Sequence, residues 1–121
     1  MALEREIIAP KHPVLPVSPA VRGGDFVFLS GMTPVAGSAA DGTVAAETRQ
    51  ILTKMARLLE AAGSSLASVV KVNVLLYSML EYDNMNTVYR EFFPVDPPAR
   101  TVCGVKLIGG HKVEIDCIAL R

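Results

Sequence analysis

Val69-Val70-Lys71-Val72-Asn73-Val74-Leu75-Leu76 decides the fold. Val70, Val72, Val74 and Leu76 fall on one side of an extended chain and Lys71 and Asn73 on the other. β-branched residues at that period, apolar at almost every step, predict a central strand. Upstream, Ile51, Leu52, Met55, Leu58, Leu59 and Ala62 recur every three or four residues, so the stretch Ala45 to Ala62 reads as an amphipathic helix, with Gly63 placed for a left-handed C-cap. Downstream, Asp83 or Asn84 can cap a second helix that buries Met85, Val88, Tyr89, Phe92 and Phe93 and stops at Pro94.

Further from the centre the pattern turns to hairpins. Leu3 to Ile8 is expected to form an edge strand ended by Pro10, and Pro13, Pro16 and Pro19 hold the next segment extended as a loop over the body of the protein. Gly23-Gly24-Asp25 supplies the turn between a strand ending at Arg22 and the strand Phe26-Val27-Phe28-Leu29-Ser30. Gly37 to Gly42 reads as a small-residue loop. At the other end, Thr101–Leu107 and Lys112–Leu120 flank Ile108-Gly109-Gly110-His111, which suggests a second hairpin. The order is β, β, β, helix, β, helix, β, β: an α+β chain with two helices on one face of a mixed sheet. Val113, Ile115, Cys117 and Ala119 share one side of the last strand, and Ile118 and Leu120 share the other with Glu114 and Asp116. Apolar groups on both faces of a sheet that one chain covers once argue for a homo-oligomer.

The chain of 121 residues suits a single domain, 1–121, and half its residues are apolar against one fifth charged, which excludes a disordered polypeptide. Acidic and basic residues are equal at 12 each, so no net field gathers nucleic acid or an anionic membrane. The N-terminus lacks a basic stretch leading into a long apolar one, and no segment approaches membrane-span length; a cytoplasmic protein with no membrane partner is expected. Cys103 and Cys117 lie in apolar runs and are expected to be buried thiols, not a disulfide. His12 and His111 have no metal-ligand spacing with either cysteine, so no metal site is expected. Gly23-Gly24 and Gly109-Gly110 lack the helix-opening context of a phosphate cradle.

The chemistry-bearing residues are Arg100, fixed after Pro97-Pro98-Ala99 at the mouth of a strand, and Glu114 on the strand that follows. A guanidinium grips a carboxylate bidentately, and an ionised Glu accepts hydrogen bonds from a water, so the pair suits hydrolysis of a small carboxylate substrate.

Ser30-Gly31, Ala61-Ala62-Gly63-Ser64-Ser65-Leu66 before Val69-Val70-Lys71-Val72, Asn86, Val88-Tyr89-Arg90-Glu91-Phe92-Phe93, Pro97-Pro98-Ala99-Arg100 and Val113-Glu114-Ile115 together resemble the RidA (YjgF/YER057c/L-PSP) family over almost the whole chain. The resemblance implies a chorismate-mutase-like α+β fold, a homotrimer with clefts between subunits, and hydrolysis of enamines and imines to 2-oxo acids and ammonia without a cofactor. It places Arg100 on the substrate carboxylate, Glu114 on the attacking water, and Ser30, Gly31 and Asn86 at or near the cleft. Three substrate-binding positions depart from the family pattern: Val17 replaces a tyrosine in the proline loop, Met32 a glutamine after Ser-Gly, and Val102 a cysteine two residues after the arginine. These point to a more apolar pocket. Alternatives are a deaminase for a larger substrate such as 2-aminomuconate or aminoacrylate, and a non-catalytic 2-oxo acid sensor. An endoribonuclease fits the zero net charge poorly.

Overall fold

The computed structural model describes residues 4–35 and 42–121. The elements run β1 (Arg5–Ile8), β2 (Ala20–Gly23), β3 (Phe26–Met32), α1 (Val44–Ala61), β4 (Val69–Leu76), α2 (Tyr82–Phe92), β5 (Ala99–Gly104) and β6 (Val113–Leu120), in the order that hydrophobic periodicity predicts. The small-residue loop expected at Gly37 to Asp41 lies outside the described residues.

The six strands form one sheet in the order β1-β2-β3-β6-β4-β5. Every pair is antiparallel except β4 with β5, so the sheet is mixed. The β2–β3 turn uses Gly24 at φ 56, as a tight hairpin requires. Helix α1 starts where the Thr43 hydroxyl accepts from Ala46 N at 3.1 Å and ends where Gly63, at φ 83, lets Ser64 N donate to the Leu59 carbonyl. Its Ile51, Leu52, Met55 and Leu59 are wholly buried and join Met85 and Tyr89 of α2 over Val27, Val72, Val74, Leu76, Val113 and Ile115.

The expected hairpin between the last two strands does not form. β4 lies between β5 and β6, pairing parallel with one and antiparallel with the other. Val72, Val74 and Leu76 are fully buried, and a strand in that position satisfies both rows of its backbone groups by pairing on both sides. Helix α2 is therefore the crossover of a parallel β4-α2-β5 unit, and residues 105–112 carry the chain past β4 to β6. Gly109 and Gly110, at φ 69 and 72, shape a short 3-10 turn in that passage.

Three smaller departures share local causes. Register between β4 and β6 shifts at Val69/Lys71, and this bulge buries Val69 and leaves Val70 38% exposed, off the face of Val72 and Val74. Helix α2 opens at Tyr82, because a turn at Met79–Glu81, held by Leu80 N donating to the Ser78 hydroxyl, runs straight into it; Asn84 donates back to Glu81 and caps nothing. Cys117 is buried, but Cys103 on edge strand β5 is exposed.

The second face of the sheet has no helix over it among the described residues. Phe26 opposite Leu120 and Phe28 opposite Ile118 stand on it, and Phe28 is 44% exposed.

Candidate functional site

Arg100 pairs with Val72, so its side chain leaves the sheet on the helix-covered face. There it meets α2 at Tyr82, Met85, Asn86 and Tyr89, whose three- and four-residue spacing puts all four on one stripe of that helix. Nη1 donates to Asn86 Oδ1 at 2.7 Å and Nη2 to the Tyr82 hydroxyl at 3.1 Å. The Tyr89 ring lies 4.6 Å from the guanidinium carbon and the Tyr82 ring 5.7 Å from it. Every one of these partners is neutral. The ion pairs among the described residues are Arg22 with Glu6 and Arg49 with Glu91, so the Arg100 charge is held without a carboxylate and is open to one from outside. Proline at 97 and 98 restricts the backbone that aims it. Burial pushes the Tyr89 phenol up and the Arg100 charge pulls it back, while its hydroxyl, not in hydrogen-bond geometry with the guanidinium, is buried without a partner.

Val102 pairs with Val74, on the same face as Arg100, and packs against the core.

Glu114 belongs to the other face. It pairs with Leu75, one residue out of phase with the buried Val74 and Leu76, and its carboxylate lies against Gly31, where an added Cβ would meet Oε2 at 2.5 Å. The neighbouring carboxylate on that face, Asp116, accepts from Asn73 at 2.9 Å. Glu114 thus differs from Asp116 in having no hydrogen-bonded or charged partner among the described residues. A register shift between Leu29 and Met32 brings Gly31 into this position. Ser30 fastens the proline loop to β3: its hydroxyl donates to the Ser18 carbonyl at 2.6 Å and its backbone N–H to the Pro19 carbonyl at 3.0 Å.

Val17, Ser30, Gly31 and Met32 border a cavity of about 450 Å³ that also reaches His12 and Lys54. His12 Nδ1 accepts from the N–H groups of Val14 and Leu15 and so holds the loop's shape. Lys54 donates to the Thr33 carbonyl at 2.8 Å, and burial pulls its ammonium below the usual lysine range.

The five polar or backbone positions expected at the site therefore fall into two groups, Arg100 with Asn86 and Glu114 with Ser30 and Gly31. The expectation that Arg100 and Glu114 converge from neighbouring strands is corrected by the insertion of β4 between them and by their opposite faces. One chain does not bring them together. Residue type and periodicity do not single out Tyr82, Tyr89 or Lys54 as site residues; the 82-85-86-89 spacing is the signal for the first two, but it is also the signature of a buried helix face. Among the described residues no group of three His, Cys, Asp or Glu side chains is placed to hold a metal, and no helix is long and apolar enough to cross a membrane.

A mixed sheet under two helices with this strand order defines an α+β class that known proteins share. The family model described as endoribonuclease L-PSP matches residues 8–121. The mitochondrial protein mmf1 of Schizosaccharomyces pombe is 41% identical over 88% of this chain and 68% of its own length. The 2-iminobutanoate/2-iminopropanoate deaminase of Bos taurus is 36% identical over 99% of this chain and 93% of its own length. The crystal structure of RidA from the Antarctic bacterium Psychrobacter superposes with a TM-score of 0.87 at 29% identity, covering 96% of this chain and 99% of that one. The chain belongs to the RidA/YjgF/L-PSP family.

Proposed function

We propose that this protein hydrolyses carboxylate-bearing enamines and imines of the 2-imino acid type to 2-oxo acids and ammonia, Arg100 binding the carboxylate and Glu114 positioning the water. The observation that carries the reading is the Arg100 guanidinium, oriented by Asn86 and two tyrosines and without an acidic partner among the described residues. The name of the bovine relative supports the reaction class. The imine carbon is already electrophilic. With the imine nitrogen protonated, water oxygen bonds to that carbon as the C=N π pair moves to nitrogen and Glu114 takes a water proton. Glu114 then returns that proton to the amine as the carbon–nitrogen bond of the carbinolamine breaks, and the hydroxyl releases its own proton as its oxygen becomes the carbonyl and ammonia leaves. Proton transfer of this kind contributes roughly 100- to 10,000-fold, about 3–5 kcal/mol of barrier.

Because the two groups face apart within one chain, the complete site in this reading spans two copies, Arg100 and Asn86 from one and Glu114, Ser30 and Gly31 from the next. The open face carrying Phe26, Phe28, Val70 and Leu120 is the surface such copies would cover, in the homotrimer that the family resemblance implies. The apolar lining by Val17 and Met32 supports a second reading within the same chemistry, a substrate with a longer side chain than 2-iminopropanoate. We also propose cytoplasmic residence, in contrast to the relative mmf1, which is named as mitochondrial.

The test is ammonia release from freshly generated 2-iminopropanoate and 2-iminobutanoate. Arg100→Ala should lower kcat/KM at least about a hundredfold, the value of two charge-assisted hydrogen bonds. Unchanged rates would overturn the assignment, and salt-sensitive RNA cleavage that survives the substitution would favour a nuclease instead.

A further inference from the structure

We propose that Tyr82 is a second contact for the substrate carboxylate, its phenol and the Arg100 guanidinium forming one composite clamp. The inference rests on the role given to Arg100 above and adds a residue to it. The Tyr82 oxygen accepts from Arg100 Nη2 at 3.1 Å, which uses a lone pair and leaves the phenol's own proton free to donate. The residue is 38% exposed, at the rim of a cavity of about 360 Å³ that it shares with Asn86, Tyr89, Arg90 and Arg100.

The remaining donors of Arg100 set the geometry. Of five N–H groups, Nη1 gives one to Asn86 and one to Met85 Sδ at 3.9 Å, and Nη2 gives one to Tyr82, so the second N–H of Nη2 and the N–H of Nε remain for a ligand. A carboxylate arriving there in the plane of the fork would lie next to the phenol, whose proton can reach the oxygen nearer Nη2. The Tyr89 ring packs on the guanidinium at 4.6 Å and the Tyr82 ring lies 5.7 Å from it.

The experiment measures binding of 2-oxobutanoate, the product form of the imino acid, by calorimetry to the wild-type assembly, Tyr82→Phe and Arg100→Ala. Tyr82→Phe retains the ring and removes one hydrogen bond to a charged group, so affinity should fall about tenfold. The chain's three tyrosines are also replaced with 3-fluorotyrosine, and the 19F resonance lost in Tyr82→Phe is assigned to Tyr82. That resonance should shift on titration with the calorimetric midpoint, a response that a merely structural tyrosine would not give. Wild-type affinity in Tyr82→Phe, or a stationary Tyr82 resonance while Arg100→Ala abolishes binding, would overturn the clamp and leave the arginine's role standing. Undiminished binding to Arg100→Ala would overturn both.

Discussion

Gly31 and Glu114 occupy one space: a methyl group on Gly31 would sit 2.5 Å from Glu114 Oε2 and 3.0 Å from its Cδ. The atoms it meets are the end of a side chain that can swing, so folding tolerates the change, but the carboxylate would move. Gly31→Ala is therefore expected to lower kcat about 10- to 100-fold, the scale of a misplacement near 1 Å, with a stability loss under about 1 kcal/mol. Steady-state kinetics beside thermal unfolding checks this. An alanine variant that turns over as fast as wild type would show that Glu114 needs no fixed position.

A second carboxylate is structural. Glu47 is 6% exposed, and its Oε1 accepts from the N–H groups of Lys112 at 2.9 Å and Val113 at 3.2 Å, tying α1 to the start of β6. Glu47→Ala leaves both amides without that acceptor and should cost about 2–4 kcal/mol, whereas Glu47→Gln keeps an oxygen for them and should cost less. Urea denaturation of the two variants decides it; equal midpoints for alanine and wild type would remove the carboxylate from the account of stability.

These two glutamates also mark how far the residues alone could be read. Periodicity located α1, and the Gly23-Gly24 pair located the β2–β3 hairpin, because both are local effects of spacing and backbone freedom. The β5–β6 pairing failed because nothing local distinguishes a strand that folds back on its predecessor from one that passes beyond β4. The bulge at Val69/Lys71 has no mark in a run of valines, and Glu47 looks like any polar residue near the start of an amphipathic helix. At the site, residue types named Arg100 and Glu114, but their opposite faces follow from strand order and register, which are long-range properties.

Alkaline pH should destabilise the fold through Cys117. Burial pushes this thiol up to about 12, with Asp116 adding to the shift, whereas an unfolded thiol titrates near 8.5. The unfolded chain therefore loses its proton first, and the contribution is complete below about pH 8.5 and declines as pH rises toward 12. Between pH 8 and 10.5 the loss from this group should reach about 2–3 kcal/mol. Tyr89, raised by burial, acts in the same direction, while Lys54, lowered by burial, opposes them. Unfolding free energies of wild type and Cys117→Ala at the two pH values isolate the thiol. Identical pH slopes in the two proteins would refute the assignment.

The open face of the sheet gives the sharpest check on a site shared between copies. Phe26 and Phe28, with ring centroids 6.3 Å apart, face outward beside Leu120 and Ile118, while Glu114 projects from the same side of β6. Covering a half-exposed phenylalanine is worth about 1 kcal/mol or more per copy, whereas an unpaired carboxylate buried there costs several. Phe28→Asp places a charge on the outer face without touching the buried set under the helices, so each chain should still fold with a native circular dichroism spectrum. The proposed trimer should dissociate, with sedimentation reporting a single-chain mass. Imine hydrolysis should fall with it by at least about a hundredfold, since Arg100 and Glu114 would no longer meet. A Phe28→Asp protein that sediments as one chain yet keeps its rate would mean that one copy suffices, and the two-copy site would have to be abandoned.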